Sequence, residues 1–308
     1  MISFSEAKNI FETPFMDLLY KAHTVHKENF DTNSIQLCTL LSIQTGGCPE
    51  DCAYCAQSKR NSFHPPMEKI TDINEILESA KEARDQGSTR FCLGASGRCP
   101  SPELMDFVCD AIKEIKKFGL KACLTLGTLT EDQIIRLKEC GLDYYNHNVD
   151  TSPEHYKNII TTRPIEERIN TLKLLQKHGI KVCTGGILGI GENNDDRVNM
   201  LLLLKTLDED PNLITINRLV KIPGTPLENA PDIDPFDFVR FVALSRILMP
   251  HSYVKLCAGR ETMSEELQAL CFFAGANSIF IGKKLLTTQN SNSVDDLNLI
   301  KRLGLTTS

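Results

Sequence analysis

A β-forming run passes directly into a cysteine-rich loop in the stretch Leu37–Cys55, LCTLLSIQTGGCPEDCAYC. The loop carries Cys48, Cys52 and Cys55 in the spacing Cys-x3-Cys-x2-Cys, among glycines and a proline that disfavour a regular helix. Thiolate sulfur binds zinc and iron–sulfur clusters well, and so short a loop brings the three thiols together. A structural zinc site needs four ligands, and no second cysteine pair follows at the usual distance. Three cysteines suit a cubane cluster that leaves one iron to a non-protein ligand; a zinc site completed from elsewhere in the chain is the alternative.

This motif resembles the signature of the radical S-adenosylmethionine (SAM) enzymes, in which an aromatic residue, here Tyr54, precedes the last cysteine. In that family SAM binds the open iron of a [4Fe–4S] cluster, and an electron from the cluster releases a 5′-deoxyadenosyl radical. The resemblance therefore implies a [4Fe–4S] cluster on Cys48, Cys52 and Cys55, with SAM as a cofactor and Tyr54 beside it.

The overall composition argues against several classes of protein. The 308 residues are 41% hydrophobic, enough for a large core, and they carry a net charge of −6 with no block of basic residues. We therefore expect no nucleic-acid partner and no membrane partner. The first residues lack the pattern of a secretory signal, so we expect a cytoplasmic protein. In that reducing compartment the twelve cysteines should be ligands or small core residues rather than disulfides.

Short β-rich runs alternate with helical patterns along the chain, and glycines such as Gly119 and Gly141 stand where helices should end. Eight strands predict an α/β protein with a (β/α)8 TIM-type barrel over about residues 37–285, within one domain of residues 1–308. An open doubly wound sheet is the alternative. Residues 1–28 suggest an N-terminal helical cap, and the tail after Lys283 suggests a C-terminal closing segment. The predicted strands are Leu37–Ile43, Thr89–Gly94, Lys121–Leu126, Asp143–Val149, Lys181–Ile187, Leu213–Leu219, Ser252–Cys257 and Ser278–Gly282. The predicted helices are Asp72–Gln86, Pro102–Phe118, Glu131–Cys140, Pro164–His178, Asp195–Leu207, Pro235–Leu248 and Ser264–Ala274.

Polar side chains alternate along the fourth predicted strand. The active sites of such barrels lie at the C-terminal ends of the strands, where the cysteine loop also falls. The strand period of two puts Asn146, Asn148 and Asp150 on one face and His147 on the other. Two amides and a carboxylate inside a barrel are costly unless they bind something polar, and the vicinal hydroxyls of a ribose would fit.

A second set of cysteines, Cys92, Cys123 and Cys183, lies mid-strand on the second, third and fifth predicted strands. Each alone would most simply be a small buried hydrophobe. Residues at similar depth on barrel strands converge inside the barrel, however, so the three together predict a second metal site. Four cysteines lie outside this convergence, and we expect them to serve only in packing: Cys99, Cys109, Cys140 and Cys271.

The chain from about Leu37 to Gly304 resembles the biotin synthase family, within the radical SAM enzymes. The resemblance implies that Cys92, Cys123 and Cys183 hold an auxiliary iron–sulfur cluster, usually [2Fe–2S], which donates sulfur to dethiobiotin. It also implies a homodimer, a flavodoxin or ferredoxin-type electron donor, and loading by the iron–sulfur assembly machinery. The stretches that carry the resemblance include Phe91–Ala95, Ala122–Leu129, Gly141–Glu154, Lys181–Ile187, Gly224–Leu227, Ala258–Glu261 and Ala274–Phe280.

Further roles follow from the same resemblance, by motif position. Asn148 and Asp150 would bind the SAM ribose and face the substrate, and Arg168 would pair with the SAM carboxylate. The stretch from Gly185 to Glu192, with Gly186 and Ile187, would border the adenine. Asn217 would bind the ureido ring of dethiobiotin, and Thr287 and Thr288 would lie near its carboxylate.

One position departs from the family pattern. The auxiliary cluster usually has an arginine as its fourth ligand on the seventh strand, and this chain has Lys255 there. The same face of that strand carries Cys257, and the first strand carries Cys38 where a serine is usual. Lysine must lose a proton to coordinate iron, and thiolate is the better ligand. The fourth ligand therefore stays open among Lys255, Cys257 and Cys38.

The resemblance implies radical sulfur insertion that converts dethiobiotin to biotin. Radical chemistry suits such a reaction, because no general base could remove a proton from an unactivated alkyl carbon. Another radical SAM enzyme on a related scaffold is the nearest alternative. A non-catalytic iron–sulfur carrier protein is the alternative from a different class, and it would not need the inward Asn148, Asp150 and Asn217.

Overall fold

The structure is a computed structural model that describes residues 2–63, 65–282 and 284–308. Met1, the first residue of the predicted cap, and Lys283, at the start of the predicted closing segment, lie outside the described residues. Among the described helices, none combines the length and the apolar character that crossing a membrane requires.

Eight parallel strands close into a barrel, as predicted. The last strand pairs with the first, with Leu37 opposite Ile279, so the sheet is closed rather than open. Two short strands, Glu68–Lys69 (β2) and Thr306–Thr307 (β10), pair with the first strand, Ser34–Thr45 (β1), outside the barrel circuit. The strands are β1 (Ser34–Thr45), β2 (Glu68–Lys69), β3 (Arg90–Ala95), β4 (Lys121–Thr125), β5 (Tyr144–Asn146), β6 (Lys181–Leu188), β7 (Leu213–Arg218), β8 (Tyr253–Leu256), β9 (Ser278–Ile281) and β10 (Thr306–Thr307).

Helices follow the barrel strands and cover the outside of the barrel. Sequence-encoded caps begin several of them: Thr130 and Gln133 form a capping box before the helix Glu131–Glu139 (α5). The helices are α1 (Phe4–Phe11), α2 (Phe15–Asn29), α3 (Ile73–Asp85), α4 (Pro102–Lys117), α5 (Glu131–Glu139), α6 (Pro153–Ile159), α7 (Ile165–Lys177), α8 (Asn194–Leu204), α9 (Pro235–Leu248), α10 (Glu265–Phe273) and α11 (Ser293–Arg302).

The fourth barrel strand is shorter than its sequence pattern predicts. β5 ends at Asn146 rather than Val149, and Asp150 has a left-handed backbone with φ of 70°, unlike any other non-glycine among the described residues. The backbone after β5 still follows β6, because Val149 N–H and Asp150 N–H both donate to Gly185 O. The chain therefore bends where the polar residues begin, and the short helix α6, which was not predicted, follows the bend.

The N-terminal cap is helical, as predicted, and packs on α9. The Arg240 guanidinium donates to Phe11 O at 2.9 Å and to Thr13 O at 2.7 Å, which joins α9 to the turn between α1 and α2. His26 on α2 is fully buried, and neither of its ring nitrogens has a hydrogen-bond partner in the described structure. Burial, together with the positive charge of Arg246, lowers the pKa of His26 to about 3.

Burial of His26 predicts a pH dependence of stability. Below about pH 6.5 the unfolded chain binds a proton at this imidazole, whereas the folded chain does so only near pH 3. The free energy of unfolding should therefore fall as the pH drops through this window, by at most about 1.4 kcal/mol per pH unit from this group. Urea unfolding at a series of pH values should show a flatter acid limb for His26→Leu. The exposed His251→Leu is the control, and parallel profiles for His26→Leu and wild type would contradict the assignment.

Strand β6 approaches β7 and the bend after β5 closely because it carries adjacent glycines. A Cβ on Gly185 would lie 2.0 Å from Thr215 O, and a Cβ on Gly186 would lie 2.4 Å from Asp150 O. Both obstacles are backbone atoms, which cannot rotate away as a side chain can. The two glycines thus set the spacing of the barrel wall beside Asp150.

Gly185→Ala should destabilise the barrel whether or not SAM is present. The new methyl group would collide with the β7 backbone, and we expect a loss of about 3 kcal/mol in the free energy of unfolding, measured in urea. Gly94→Ala is the matched control, since the atoms near its Cβ belong to side chains and the nearest is the movable end of Leu286. Equal losses in the two variants would contradict this account.

Candidate active site

A cavity of about 320 Å³ contains both predicted cysteine sets in its lining. It extends from the loop after β1 into the barrel. Three predicted site residues, Cys38, Gly185 and Gly186, are not part of its lining. The predicted site residues that do line it are Cys48, Cys52, Tyr54, Cys55, Cys92, Cys123, Asn148, Asp150, Arg168, Cys183, Ile187, Asn217, Lys255, Cys257, Thr287 and Thr288.

Backbone hydrogen bonds hold the cysteine loop in shape. Cys48 N–H donates to Gln57 O, and Cys48 O accepts from Lys59 N–H, both at 2.9 Å. Ala53 N–H donates to Ile159 O at 3.0 Å, which attaches the loop to the end of α6. The loop conformation is therefore fixed by the protein itself.

Two acidic residues inside the loop attach it to the segment between α6 and α7. Asp51 accepts hydrogen bonds from the backbone N–H groups of Thr161 and Thr162, and Glu50 accepts from Thr162 Oγ1 at 2.6 Å. Glu50 also accepts from the guanidinium of Arg98, which lies between β3 and α4, at 3.0 Å. Burial opposes ionisation of Asp51, but the hydrogen bonds from the two threonines lower its pKa to about 2. Sequence reasoning did not single out these residues, because the partners are more than forty positions apart.

A buried ion pair lies beside the cysteine loop. The Arg168 guanidinium contacts Asp150 Oδ2 at 2.8 Å, and Tyr54 Oη donates to the same oxygen at 2.8 Å. Arg168 also donates to Tyr156 Oη at 2.9 Å and to Asn148 O. A guanidinium has five N–H donors, so two remain for a ligand. Asp150 and Arg168, both predicted to contact SAM, thus also form an ion pair with each other.

The predicted amide contacts also have protein partners. Asn148 Oδ1 accepts from Thr215 Oγ1 at 2.6 Å. Asn217 donates to Gly186 O at 3.0 Å, and its carbonyl accepts from Ala258 N–H at 3.2 Å. Both amides are therefore held in fixed orientations at the cavity wall by neighbouring strands.

The face alternation predicted after Asn146 is not kept. Asn146, Asn148 and Asp150 border the cavity as expected, but His147, expected to face away, also borders it. The bend after β5 breaks the period of two there. Burial lowers the pKa of His147 well below its ordinary value, so this imidazole is neutral.

The second cysteine set converges inside the barrel. Cys92 and Cys123 are opposite each other on β3 and β4, and all three thiols are buried. A hydrogen bond with Cys123 lowers the pKa of Cys92, helped by the positive charges of Lys255 and Arg90. Burial opposes ionisation of Cys183, but the Cys123 thiol and the same two cations lower its pKa to about 6. Hydrogen bonds with Cys183 and Cys92, together with burial, raise the pKa of Cys123 well above its ordinary value. The surroundings therefore favour the thiolate, the form that binds iron, at Cys92 and Cys183.

Arg90 is a site residue that sequence reasoning missed. Its guanidinium lies 3.6 Å from the centre of the Tyr144 ring and donates to Cys183 Sγ at 3.5 Å. Nε and Nη2 have no hydrogen-bond partner in the described structure. The period of two puts Arg90 on the same face of β3 as Cys92, and this signal could have identified it.

The three candidates for a fourth ligand lie in different surroundings. Lys255 Nζ lies 4.1 Å from the centre of the Phe280 ring, inside the barrel. Cys257 is buried and lines the cavity, whereas Cys38 is buried outside its lining. Nowhere in the described part of the chain do three His, Cys, Asp or Glu side chains form a preformed site for a metal ion. The ligand assignments therefore stay predictions that rest on donor chemistry and on the shared cavity.

Comparison with known proteins identifies the family. The Radical SAM superfamily matches residues 42–204, more than half of the chain, and the Biotin and Thiamin Synthesis associated domain matches residues 215–306. Proteins named biotin synthase from Rickettsia felis and Lawsonia intracellularis are each 54% identical over 303 residues, which is 98% of this chain and 98% and 96% of theirs. The chain belongs to the biotin synthase family. It is therefore an enzyme of the radical SAM type, as the sequence resemblance implied.

Solved structures add support for the fold of this biotin synthase family member. Methylornithine synthase superposes with a TM-score of 0.84 at 18% identity, covering all of this chain and 94% of that one. The FeFe-hydrogenase maturase HydG from Carboxydothermus hydrogenoformans gives a TM-score of 0.85 at 19% identity, covering all of this chain and 76% of that one. At such identities the likeness concerns the barrel alone.

The buried ion pair predicts strong energetic coupling. Arg168→Met leaves the Asp150 carboxylate buried without its charge partner, and we expect a loss of about 3 to 5 kcal/mol in the free energy of unfolding. The double variant Asp150→Asn with Arg168→Met should lose less than the sum of the single variants, as urea unfolding of the cluster-free protein would measure. Arg302→Met, which breaks a solvent-exposed pair with Glu265, is the control and should change stability much less. Additive single effects would show that the pair does not couple.

Proposed function

We propose that this chain converts dethiobiotin to biotin by radical insertion of sulfur. The observation that supports the proposal most directly is the single cavity whose lining contains both cysteine sets. An enzyme that only cleaved SAM would need only the loop set. A second buried thiol set in the same cavity, beside two cations, fits a bound source of sulfur.

The residues present fit two iron–sulfur clusters by their donor chemistry. Cys48, Cys52 and Cys55 would hold the [4Fe–4S] cluster, and the three barrel cysteines would hold the auxiliary cluster, for which [2Fe–2S] is the proposed type. When bound, SAM and the loop cluster supply a 5′-deoxyadenosyl radical that can remove hydrogen from unactivated carbon, and the auxiliary cluster supplies sulfur.

The chain's own residues would bind and orient the two small molecules. We assign the SAM ribose to Asn148 and Asp150, whose orientations are fixed by Thr215 and Arg168. The two unused N–H groups of Arg168 would reach the SAM carboxylate. The cavity wall at Ile187 would border the adenine. Gly185 and Gly186 would act indirectly, because they let strand β6 lie close to β7 and to Asp150.

The substrate end of the cavity would be formed by residues late in the chain. Asn217 would exchange one of its backbone partners for the ureido ring of dethiobiotin. Thr287 and Thr288 border the cavity in the segment after β9 and would bind the substrate carboxylate. That segment would also help to exclude water, which would otherwise quench a radical.

The remaining assignments concern partners and organisation. We propose that residues 1–308 form one domain, since the barrel strands come from both matched regions. We further propose a homodimer in the cytoplasm, with a flavodoxin or ferredoxin-type electron donor and loading by the iron–sulfur assembly machinery.

The proposal is tested with anaerobically reconstituted full-length protein, SAM, dithionite and dethiobiotin. Wild type should form biotin and 5′-deoxyadenosine, measured by mass spectrometry. Cys52→Ala should form neither, whereas Cys92→Ala should still cleave SAM but form at least a hundredfold less biotin. Cys271→Ala, a buried thiol on α10, is the control. Deoxyadenosine formation that does not depend on dethiobiotin, with no biotin from wild type, would contradict the proposed reaction.

A further inference from the structure

Two cations lie inside the barrel without a carboxylate partner. Arg90 is 1% exposed and Lys255 is 2% exposed. No ion pair among the described residues includes either of them, whereas Arg168 contacts Asp150 and Arg98 contacts Glu50 at the opposite end of the cavity. Their nearest groups are aromatic rings and thiols. An unpaired charge is costly to bury, so this end of the cavity is built to receive a negatively charged group.

The charge of a bound cluster can be compared with these two cations. An oxidised [2Fe–2S] core and a [4Fe–4S] core both carry a formal charge of two plus in their common states. Three cysteine thiolates leave either cluster with one net negative charge. A fourth thiolate gives two negative charges, which equals the charge of the two buried cations. This comparison does not depend on how many irons the cluster contains.

Geometry distinguishes between the two additional thiols. Cys257 follows β8 directly and lines the cavity together with Cys92 and Cys183. On β1 the residue opposite Cys92 is Leu40, and Cys38 lies two positions earlier, opposite Arg90. Cys38 thus lies outside the cavity lining on the N-terminal side of the three thiols.

The Cys38 thiol also has its own partners. Its Sγ lies 3.7 Å from Gln36 Oε1 and 3.8 Å from Ser278 Oγ, two side-chain partners, whereas the hydrogen bond of the Cys257 thiol in the described structure goes to the backbone Lys255 O, at 3.7 Å. Lys255 is a poorer ligand than either thiol, because its ammonium already lies over the Phe280 ring, whose face favours a cation. Of the three candidates, only Cys257 combines thiol chemistry with a place in the cavity wall.

We infer that Cys257 is the fourth ligand of the auxiliary cluster and that Arg90 and Lys255 are positioning residues that balance its charge. The inference rests on the proposed function, because it assumes a cluster on Cys92, Cys123 and Cys183. As the iron–sulfur bond to Cys257 forms, the thiol proton passes to solvent, and no electron is transferred. The arginine ligand of the wider family is thus replaced by a thiolate two residues further along the chain.

The test is spectroscopic and does not depend on turnover. Full-length wild type and variants are reconstituted anaerobically with iron and sulfide, then examined by Mössbauer and resonance Raman spectroscopy and by iron analysis. Cys257→Ser, which offers oxygen in place of sulfur, should shift the iron–sulfur stretching bands of the auxiliary cluster. Cys257→Ala should lose at least half of the auxiliary iron. Cys38→Ala and the control Cys271→Ala should match wild type, and circular dichroism confirms folding.

Cys92→Ala separates failure of this inference from failure of the proposed function. If Cys92→Ala leaves all spectra unchanged, there is no cluster on the barrel cysteines, and both the proposed sulfur source and this inference are wrong. If Cys92→Ala removes the auxiliary signals while both Cys257 variants keep the wild-type bands, only the inference is overturned. A band shift in Cys38→Ala instead would assign the ligand to Cys38 and likewise overturn it.

The charge-balancing role has its own measurement. Lys255→Met removes one cation but keeps similar volume, so the midpoint potential of the auxiliary cluster should become more negative in redox titrations followed by EPR. Lys255→Arg keeps the charge and should restore a potential close to wild type. Equal potentials in Lys255→Met and wild type would show that the lysine does not balance the cluster charge.

Discussion

The interior of a closed barrel can hold charged groups only if each charge is compensated, and this constraint organises the cavity. Near the cysteine loop the protein supplies both signs itself, with Arg168 against Asp150 and Arg98 against Glu50. Deeper in the barrel the described residues supply only the positive sign, through Arg90 and Lys255, beside thiols that would become negative if they bound a metal. At one end of the cavity the positive and negative charges therefore balance, whereas at the other end two positive charges have no negative partner among the described residues.

Backbone geometry supports this arrangement at the strand that carries the polar residues. Asp150 has a left-handed backbone and is paired across to Gly186, and a Cβ at Gly186 would meet its carbonyl oxygen. The left-handed backbone of Asp150 can lie this close to β6 because Gly186 has no side chain. At this bend the Asp150 carboxylate contacts Tyr54 and Arg168.

Much of the fold could be predicted from the sequence, because the barrel depends on local signals. The eight strands show β-rich runs, and glycines such as Gly119 and Gly141 end the helices between them. The early end of β5 could not be predicted, because it depends on the tertiary contact between Asp150 and β6. Helix α6 was missed since its seven residues, about two turns, are too few to show a period.

The same difference between local signals and tertiary contacts applies to the candidate site. The two cysteine sets were recognisable because spacing and strand position are local properties, and the structure places both in the lining of one cavity. The pairing of Asp150 with Arg168 could not be recognised in the sequence, because it depends on the distance across the barrel mouth. Arg90 was visible in principle, since it shares a strand face with Cys92, but a lone arginine in an apolar run carries no chemistry until its surroundings are known.

The attachment of the cysteine loop to the segment between α6 and α7 has a consequence for how the holoenzyme forms. In small zinc domains the metal organises the chain, so that folding and metal uptake are one event. Here Asp51 and Ala53 are already hydrogen-bonded to residues more than a hundred positions away, with every partner supplied by the protein. A cluster bound at these cysteines would therefore meet a loop whose conformation the protein's own hydrogen bonds define, so that folding of the loop and cluster uptake would be separate events.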